Sequence, residues 1–250
     1  MSWPADLLAA CGLVAFCVTV LAAYAGPGRS RESFARVEQQ GGSFILGRGL
    51  MNAGYWMLQP AVRLCAAAGV SPAALSWFSL VPAAFAGGAV ALGHWGCAAW
   101  GLFASALLDV LDGAVARATG RTSAPGAILD SVLDRYAEFF FFAGALFYYR
   151  AIPPAQLLVL TALFGSFLIT YSTAKAEALR LTPPRGCMKR SDRLALLVVG
   201  ALLTPVTQRW LETPGTWPAW PALGAIGAIA VLANLSAIAR FVALARTTPS

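Results

Sequence analysis

Apolar residues along this chain gather into long runs separated by short polar breaks. The first run spans Trp3 to Ala25. Six more follow, near Leu75–Leu92, Cys97–Ala118, Gly126–Tyr149, Ala155–Leu179, Arg193–Val206 and Ala222–Leu244, and the links between them hold Gly, Pro or charge. About 20 apolar residues in helical conformation cross the hydrocarbon core of a bilayer. The runs therefore predict an all-α integral membrane protein. Residues 27–72 break the pattern: Gly26-Pro27-Gly28 and Gly41-Gly42 interrupt the chain, and Phe44–Ala68 mixes apolar and polar residues at loosely helical spacing with Arg48 and Arg63. Such a stretch predicts an amphipathic helix lying at the membrane surface. The organisation expected is an N-terminal transmembrane anchor over 1–26, a juxtamembrane segment over 27–72 and a six-helix membrane domain over 73–250. Ala23-Tyr24-Ala25 resembles a signal-peptide cleavage site, but no Lys or Arg precedes it, Asp6 lies within the run, and Arg29, Arg31 and Arg36 follow it. These features predict an anchor that is retained.

Composition agrees. Of the 250 residues, 58% are hydrophobic and 12% are charged, against about 25% charged in a soluble domain. The net charge of +7 would raise nucleic acid as a partner if the basic residues covered a water-facing surface. They sit instead mostly in a few gaps between apolar runs, where contact with membrane lipid headgroups explains them, so no nucleic-acid partner is expected. Placing residues 27–72 on the inside puts Arg29, Arg31, Arg36, Arg48, Arg63, Arg117, Arg121, Arg180, Arg185, Lys189, Arg190, Arg193, Arg240 and Arg246 on one side and leaves only Arg150 and Arg209 opposite. Basic residues concentrate on the cytoplasmic side of membrane proteins. This bias predicts a multi-pass cell-membrane protein with its N-terminus outside and its C-terminus inside. The five cysteines form no C-x-x-C pair and read as small buried hydrophobes, and a single histidine, His94, argues against a His-rich zinc site or a Ser-His-Asp triad.

The chemistry concentrates in two runs. Asp109-Val-Leu-Asp112-Gly113-Ala-Val-Ala116-Arg117 closes one, and Gly126-Ala-Ile-Leu-Asp130-Ser-Val-Leu-Asp134 opens the next. Spacings of three and four put Asp109, Asp112, Gly113, Ala116 and Arg117 on one helix face and Gly126, Asp130 and Asp134 on another. Each Asp at a helix centre in the membrane costs about 2.5–3.5 kcal/mol, so four facing carboxylates call for cations between them. Hard oxygen ligands suit Mg²⁺ or Mn²⁺, and two such ions clamp a phosphoryl group during displacement. Gly113, Ala116 and Gly126 leave room for a nucleotide near the backbone, and Arg117 can fork onto a phosphate. An ion-coupled or proton-coupled transporter that uses the four Asp as a path is the alternative from a different class.

These residues, with eight others between Arg117 and Gly126, resemble the signature of the CDP-alcohol phosphotransferase (phosphatidyltransferase) family, D-x-x-D-G-x-x-A-R followed by G-x-x-x-D-x-x-x-D. All eight fixed positions match, and the resemblance covers about residues 70–245. It implies a six-helix catalytic core to which the N-terminal run is an addition. It also implies a phospholipid-synthesis transferase that moves a phosphatidyl group from CDP-diacylglycerol, or a similar CDP-lipid, to the hydroxyl of a small polar alcohol and releases CMP. Asp109, Asp112, Asp130 and Asp134 would hold two divalent ions, Asp134 would also take the acceptor's proton, and Gly113, Arg117 and Ser123 would contact the CDP moiety. Family members are commonly homodimers. Upstream, Gly69-Val-Ser-Pro72-Ala73-Ala74-Leu75-Ser76 resembles the family's P-N-x-x-T segment, with Ala73 for Asn or Asp and Ser76 for Thr. Ser76 would either contact the donor or cap a helix.

The acceptor is read from a second pair of segments. Tyr171-Ser-Thr173-Ala-Lys175-Ala-Glu177 and Gly186-Cys-Met-Lys189-Arg190-Ser-Asp192-Arg193 resemble patterns in bacterial and archaeal members that use inositol phosphate or glycerol phosphate. The closest likeness is to phosphatidylinositol-phosphate synthase-like members, although Thr173 stands where those enzymes often have a basic residue and Lys175 replaces the usual Arg. Lys175, Arg190 and Arg193, with Thr173, are expected to converge on a phosphorylated acceptor, with inositol phosphate first and glycerol 3-phosphate second. Glu138, one turn past Asp134, would support the site or pair two helices.

Overall fold

The structure is a computed structural model that describes residues 3–26, 34, 37–38, 45, 47–182, 186, 188–210 and 218–247. Arg29, Arg31, Arg36, Gly28, Gly41, Gly42, Phe44, Arg185 and Cys187, which entered the sequence reading, lie outside the described residues. Eight helices and no strands occur among the described residues: α1 (Trp3–Tyr24), α2 (Gly47–Ala67), α3 (Pro72–Ala91), α4 (Trp95–Ala118), α5 (Ala124–Tyr148), α6 (Pro153–Ala178), α7 (Arg190–Trp210) and α8 (Trp220–Thr247).

Five of these are long and apolar enough to cross a membrane: α1, α3, α4, α6 and α8. Helices α5 and α7 are of similar length but carry the charges, Asp130, Asp134, Arg135 and Glu138 on one and Arg190, Asp192, Arg193 and Arg209 on the other. Both pack into the bundle, α5 against α3 and α6, and α7 against α4, α8 and α1. A charged face turned toward protein is how such helices are accommodated in lipid. The chain is thus a multi-pass membrane protein.

Helices in lipid gain no hydrophobic effect from meeting each other, so close approach of small residues does much of the work. A Cβ built on Gly144 of α5 would lie 2.1 Å from the Gly87 carbonyl oxygen of α3, and one on Gly87 would lie 2.3 Å from that of Phe140. Similarly, Gly101 of α4 meets the Pro82 carbonyl oxygen of α3, and Gly200 of α7 meets Ala225 of α8. Helix α3 therefore contacts both α4 and α5 almost backbone to backbone, while α4 and α5 barely touch each other. The cleft left between them is where their carboxylates face one another.

Away from the cleft, at the other end of these helices, aromatic side chains fill the bundle. Trp95 packs edge-on against Tyr148 at 5.1 Å between centroids, and the buried Tyr149 donates its hydroxyl to the Ala219 carbonyl at 3.2 Å. Helix α1 docks at this same end. Its Asp6 is buried and accepts from the Cys97 amide at 3.1 Å, satisfying one of the open amides at the start of α4. Gly96 lets the helices touch there, since a Cβ on it would lie 2.0 Å from the Asp6 carbonyl oxygen. The other faces of α1 stay exposed, including Leu8, Val14 and Val18.

Helix α2 falls within residues 44–68, the stretch expected to form an amphipathic helix. Its buried Val62, with Ala61 and Cys65, packs against Leu108, Leu111, Ala114 and Val115 of α4. Helix α2 thus packs along the stretch of α4 that bears Asp109 and Asp112.

Candidate active site

Four helix ends meet at the cleft: the last two turns of α4, the start of α5, the end of α6 and the start of α7. Local sequence fixes each. Ser123 caps α5, its Oγ accepting from the Gly126 amide at 3.2 Å. Asp192 secures α7 by reaching back to the Lys189 amide at 3.0 Å, the acidic arm of a capping box, and it also accepts from Ile45 at 3.3 Å. Arg190 is thereby held in the first turn of α7, pointing at the cleft.

Carboxylate oxygens of Asp109, Asp130 and Asp134 all lie within 4.8 Å of one another. Asp112, on the same α4 face, turns aside. It is 5% exposed and accepts a short hydrogen bond from Ser76 Oγ of α3. Ser76 belongs to a ladder of hydroxyls down α3 and α4: Ser79 Oγ donates to the Ser76 carbonyl at 2.7 Å, and Ser105 Oγ to the Ser79 carbonyl at 3.0 Å. The helix cap is Ser71, which accepts from Ala74 at 3.1 Å. Ser76 is therefore not the cap; its hydroxyl orients Asp112, beside the cluster.

Arg190 bridges the cleft. Its Nη1 lies 2.8 Å from Asp109 Oδ2 and its Nη2 2.7 Å from Asp134 Oδ1. Arg193 is 3% exposed and places Nε and Nη2 at 2.8 and 2.7 Å from Glu138 Oε1. Lys175 is exposed on α6. Thr173 Oγ1 accepts from Arg240 Nη1 of α8 at 2.9 Å. Of the residues expected to converge on the acceptor, Arg190 and Arg193 are thus engaged by acidic groups, Arg190 by Asp109 and Asp134 and Arg193 by Glu138, while Lys175 stands exposed. Glu138 takes the helix-pairing role, joining α5 to α7.

At the end of α4, Arg117 is exposed and folds over Gly113, where a Cβ would come within 3.1 Å of its Nη1. A Cβ on Gly126 would come within 3.0 Å of Ser123 Oγ. Ala116 lies on the same α4 face as Gly113. Two further residues matter here. Arg135 joins the acids to α6, with Nη1 3.6 Å from Asp134 and Nη2 donating to Thr170 Oγ1 at 2.6 Å. Arg240, counted only as topogenic charge, is a lone cation in an apolar run, and that was the available signal that it needs a partner inside the protein.

All four Asp fall inside residues 69–232, which match the profile of the family "CDP-alcohol phosphatidyltransferase". The phosphatidylinositol phosphate synthase of Mycobacteroides abscessus is 33% identical over 180 residues, 70% of this chain and 72% of that protein. The archaetidylinositol phosphate synthase of Aeropyrum pernix is 42% identical over 100 residues, which is 39% of this chain and 50% of that protein. The alignment thus spans only half of the Aeropyrum enzyme. The crystal structure of Mycobacterium tuberculosis phosphatidylinositol phosphate synthase with CDP-DAG bound superposes with a TM-score of 0.65 at 25% identity, covering 76% of this chain and 94% of that one. The complex of the same enzyme with manganese and citrate gives 0.65 over 76% and 90%. By its matched profile, its relatives and its helical architecture, this chain belongs to the CDP-alcohol phosphatidyltransferase family.

Proposed function

We propose that this membrane protein makes a phosphatidylinositol-phosphate-type lipid. It would transfer the phosphatidyl group of CDP-diacylglycerol, or of a similar CDP-lipid, to a hydroxyl of inositol phosphate, with CMP leaving. The observation that carries this reading is the three-carboxylate cluster in the cleft between α4 and α5, set in the fold and sequence of inositol-phosphate-using relatives.

The donor set fits the metal. Three carboxylates whose oxygens lie within 4.8 Å offer only hard ligands, as Mg²⁺ and Mn²⁺ prefer. Asp109, Asp130 and Asp134, with Asp112 oriented by Ser76, would hold two such ions. Bound there, they supply positive charge against the phosphate oxygens during displacement. Asp134 takes the proton of the attacking hydroxyl, whose oxygen bonds to phosphorus as the bond from phosphorus to the CMP oxygen breaks. Arg117 steadies the donor phosphates, while Gly113, Ala116 and Gly126 leave space beside the backbone for the nucleotide. Ser123 still has a hydroxyl proton to give once its oxygen has capped α5. On the acceptor side, Lys175, Thr173 and Arg190 meet the phosphate, and Arg193 acts through Glu138 to fix α7. The active site opens to the cytoplasm, the lipid tails lie between the helices, and a homodimer is the assembly.

The test is CMP release from labelled CDP-diacylglycerol by the purified chain with a panel of polar alcohols and Mg²⁺ or Mn²⁺. Release should require inositol phosphate, and Asp134→Asn should cut it by about 10²–10⁴-fold or more while the protein stays folded. Lys175→Ala and Arg190→Ala should raise the acceptor KM. Turnover with free inositol, or with glycerol 3-phosphate in preference, would overturn the acceptor assignment.

A further inference from the structure

Arg190 holds the oxygens that a metal ion would need. Its guanidinium sits between Asp109 Oδ2 and Asp134 Oδ1 at 2.8 and 2.7 Å, and both residues belong to the carboxylate cluster. A fork bound to two facing carboxylates places its own carbon in the space that an ion bridging those carboxylates must enter, and the two positive charges repel. We propose that Arg190 and a divalent ion compete for Asp109 and Asp134, so that loading the metal drives Arg190 off the acids and frees its guanidinium for the phosphate of the acceptor. The second half of this proposal rests on the phosphorylated-acceptor reading above.

Two contrasts single out Arg190. Arg193, one turn further along α7, is 3% exposed and holds Glu138 through two nitrogens, and Glu138 lies outside the carboxylate cluster. Arg193 has neither room nor reason to move. Arg190 keeps 29% of its side chain exposed, so its head can swing from the acids toward the mouth of the cleft. Its backbone meanwhile stays fixed in the first turn of α7 by the Asp192 contact. An acceptor phosphate offers the same planar fork a second bidentate partner. Competition of this kind is a coupling between two sites and must run both ways. Metal binding should prepare the acceptor pocket, and the acceptor's phosphate, by holding Arg190 away, should tighten metal binding.

The experiment measures Mn²⁺ binding to the full chain in nanodiscs by electron paramagnetic resonance, with no donor present and therefore no turnover. Arg190→Gln should bind Mn²⁺ about tenfold more tightly than the wild type, within the 5–150-fold range usual for coupled sites. Arg190→Lys keeps the charge but cannot span both carboxylates, so it should fall between the two. It also keeps the test open if the glutamine variant fails to fold, which thermal melting would show. Inositol 1-phosphate should tighten Mn²⁺ binding to the wild type and leave Arg190→Gln unaffected. Unchanged or weaker Mn²⁺ binding in both variants would overturn the competition. Tighter binding in the variants without any phosphate effect in the wild type would overturn the hand-over to the acceptor. Absence of CMP release with inositol phosphate bears on the acceptor reading alone and leaves the Mn²⁺ comparison standing.

Discussion

Ser76 and Glu138 do their work by touching a charged group on another helix, and each yields a measurable consequence. Ser76 donates to Asp112 across 36 positions of sequence. A partner that orients a ligand usually contributes about 10–100-fold to metal affinity or activity, so Ser76→Ala should lose that much in Mn²⁺ titration and Ser76→Thr should keep most of it. Glu138 neutralises an arginine that is 3% exposed. Removing one member of a buried pair costs about 3–5 kcal/mol, so Glu138→Gln should lower the melting temperature clearly, beyond any effect on turnover. At this scale the acidic motif was legible in the sequence because spacings of three and four fix a helix face whatever surrounds it. The partners were less so. Nothing local to Ser76 says that Asp112 lies opposite, and the i, i+3 relation of Arg190 and Arg193 does not say that one meets a carboxylate within the cluster and the other a carboxylate outside it.

Helices were legible from their apolar runs, and the differences lie at the ends. The runs place the starts of α3, α5 and α6 at Leu75, Gly126 and Ala155, whereas the helices begin at Pro72, Ala124 and Pro153. Each carries proline in its first two positions, where a missing amide costs nothing and the fixed φ suits the first turn, and Ser71 and Ser123 cap two of them. Hydropathy does not register such residues, so it starts these helices late. Helix α7 is longer than its run at both ends, because the Asp192 carboxylate holds the Lys189 amide and starts the helix before the apolar stretch, and Thr207, Gln208 and Arg209 continue beyond it. How the helices cross depends on glycines that read in sequence only as small residues. Gly144→Ala would drive a Cβ into the Gly87 carbonyl, now 2.1 Å from where it would sit. Overpacking of this kind costs about 1–3 kcal/mol. The expected result is a lower melting temperature together with weaker Mn²⁺ binding, since α5 carries Asp130 and Asp134.

Across the whole molecule, the ends of α4 and α6 and the starts of α5 and α7 share one side with most of the Arg and Lys, while Arg150 and Arg209 lie toward the other. On a background lacking the five native cysteines, a cysteine at position 150 should react with an impermeant reagent added outside intact cells. One at position 121 should react only after the membrane is opened. The reverse pattern would place the active site on the far side. Asp6 agrees with this arrangement, because it ties the start of α1 to the start of α4 and so puts both on one side. Its bond also has a consequence for biogenesis. The carboxylate and the Cys97 amide are 91 residues apart, so α1 leaves the ribosome long before its partner exists. A ribosome adds about 5–20 residues per second, which leaves Asp6 waiting for several seconds with its carboxylate answered by water or lipid headgroups. Helix α1 can first be threaded as an anchor, but it cannot be seated until the helix bearing half of the acidic motif has arrived.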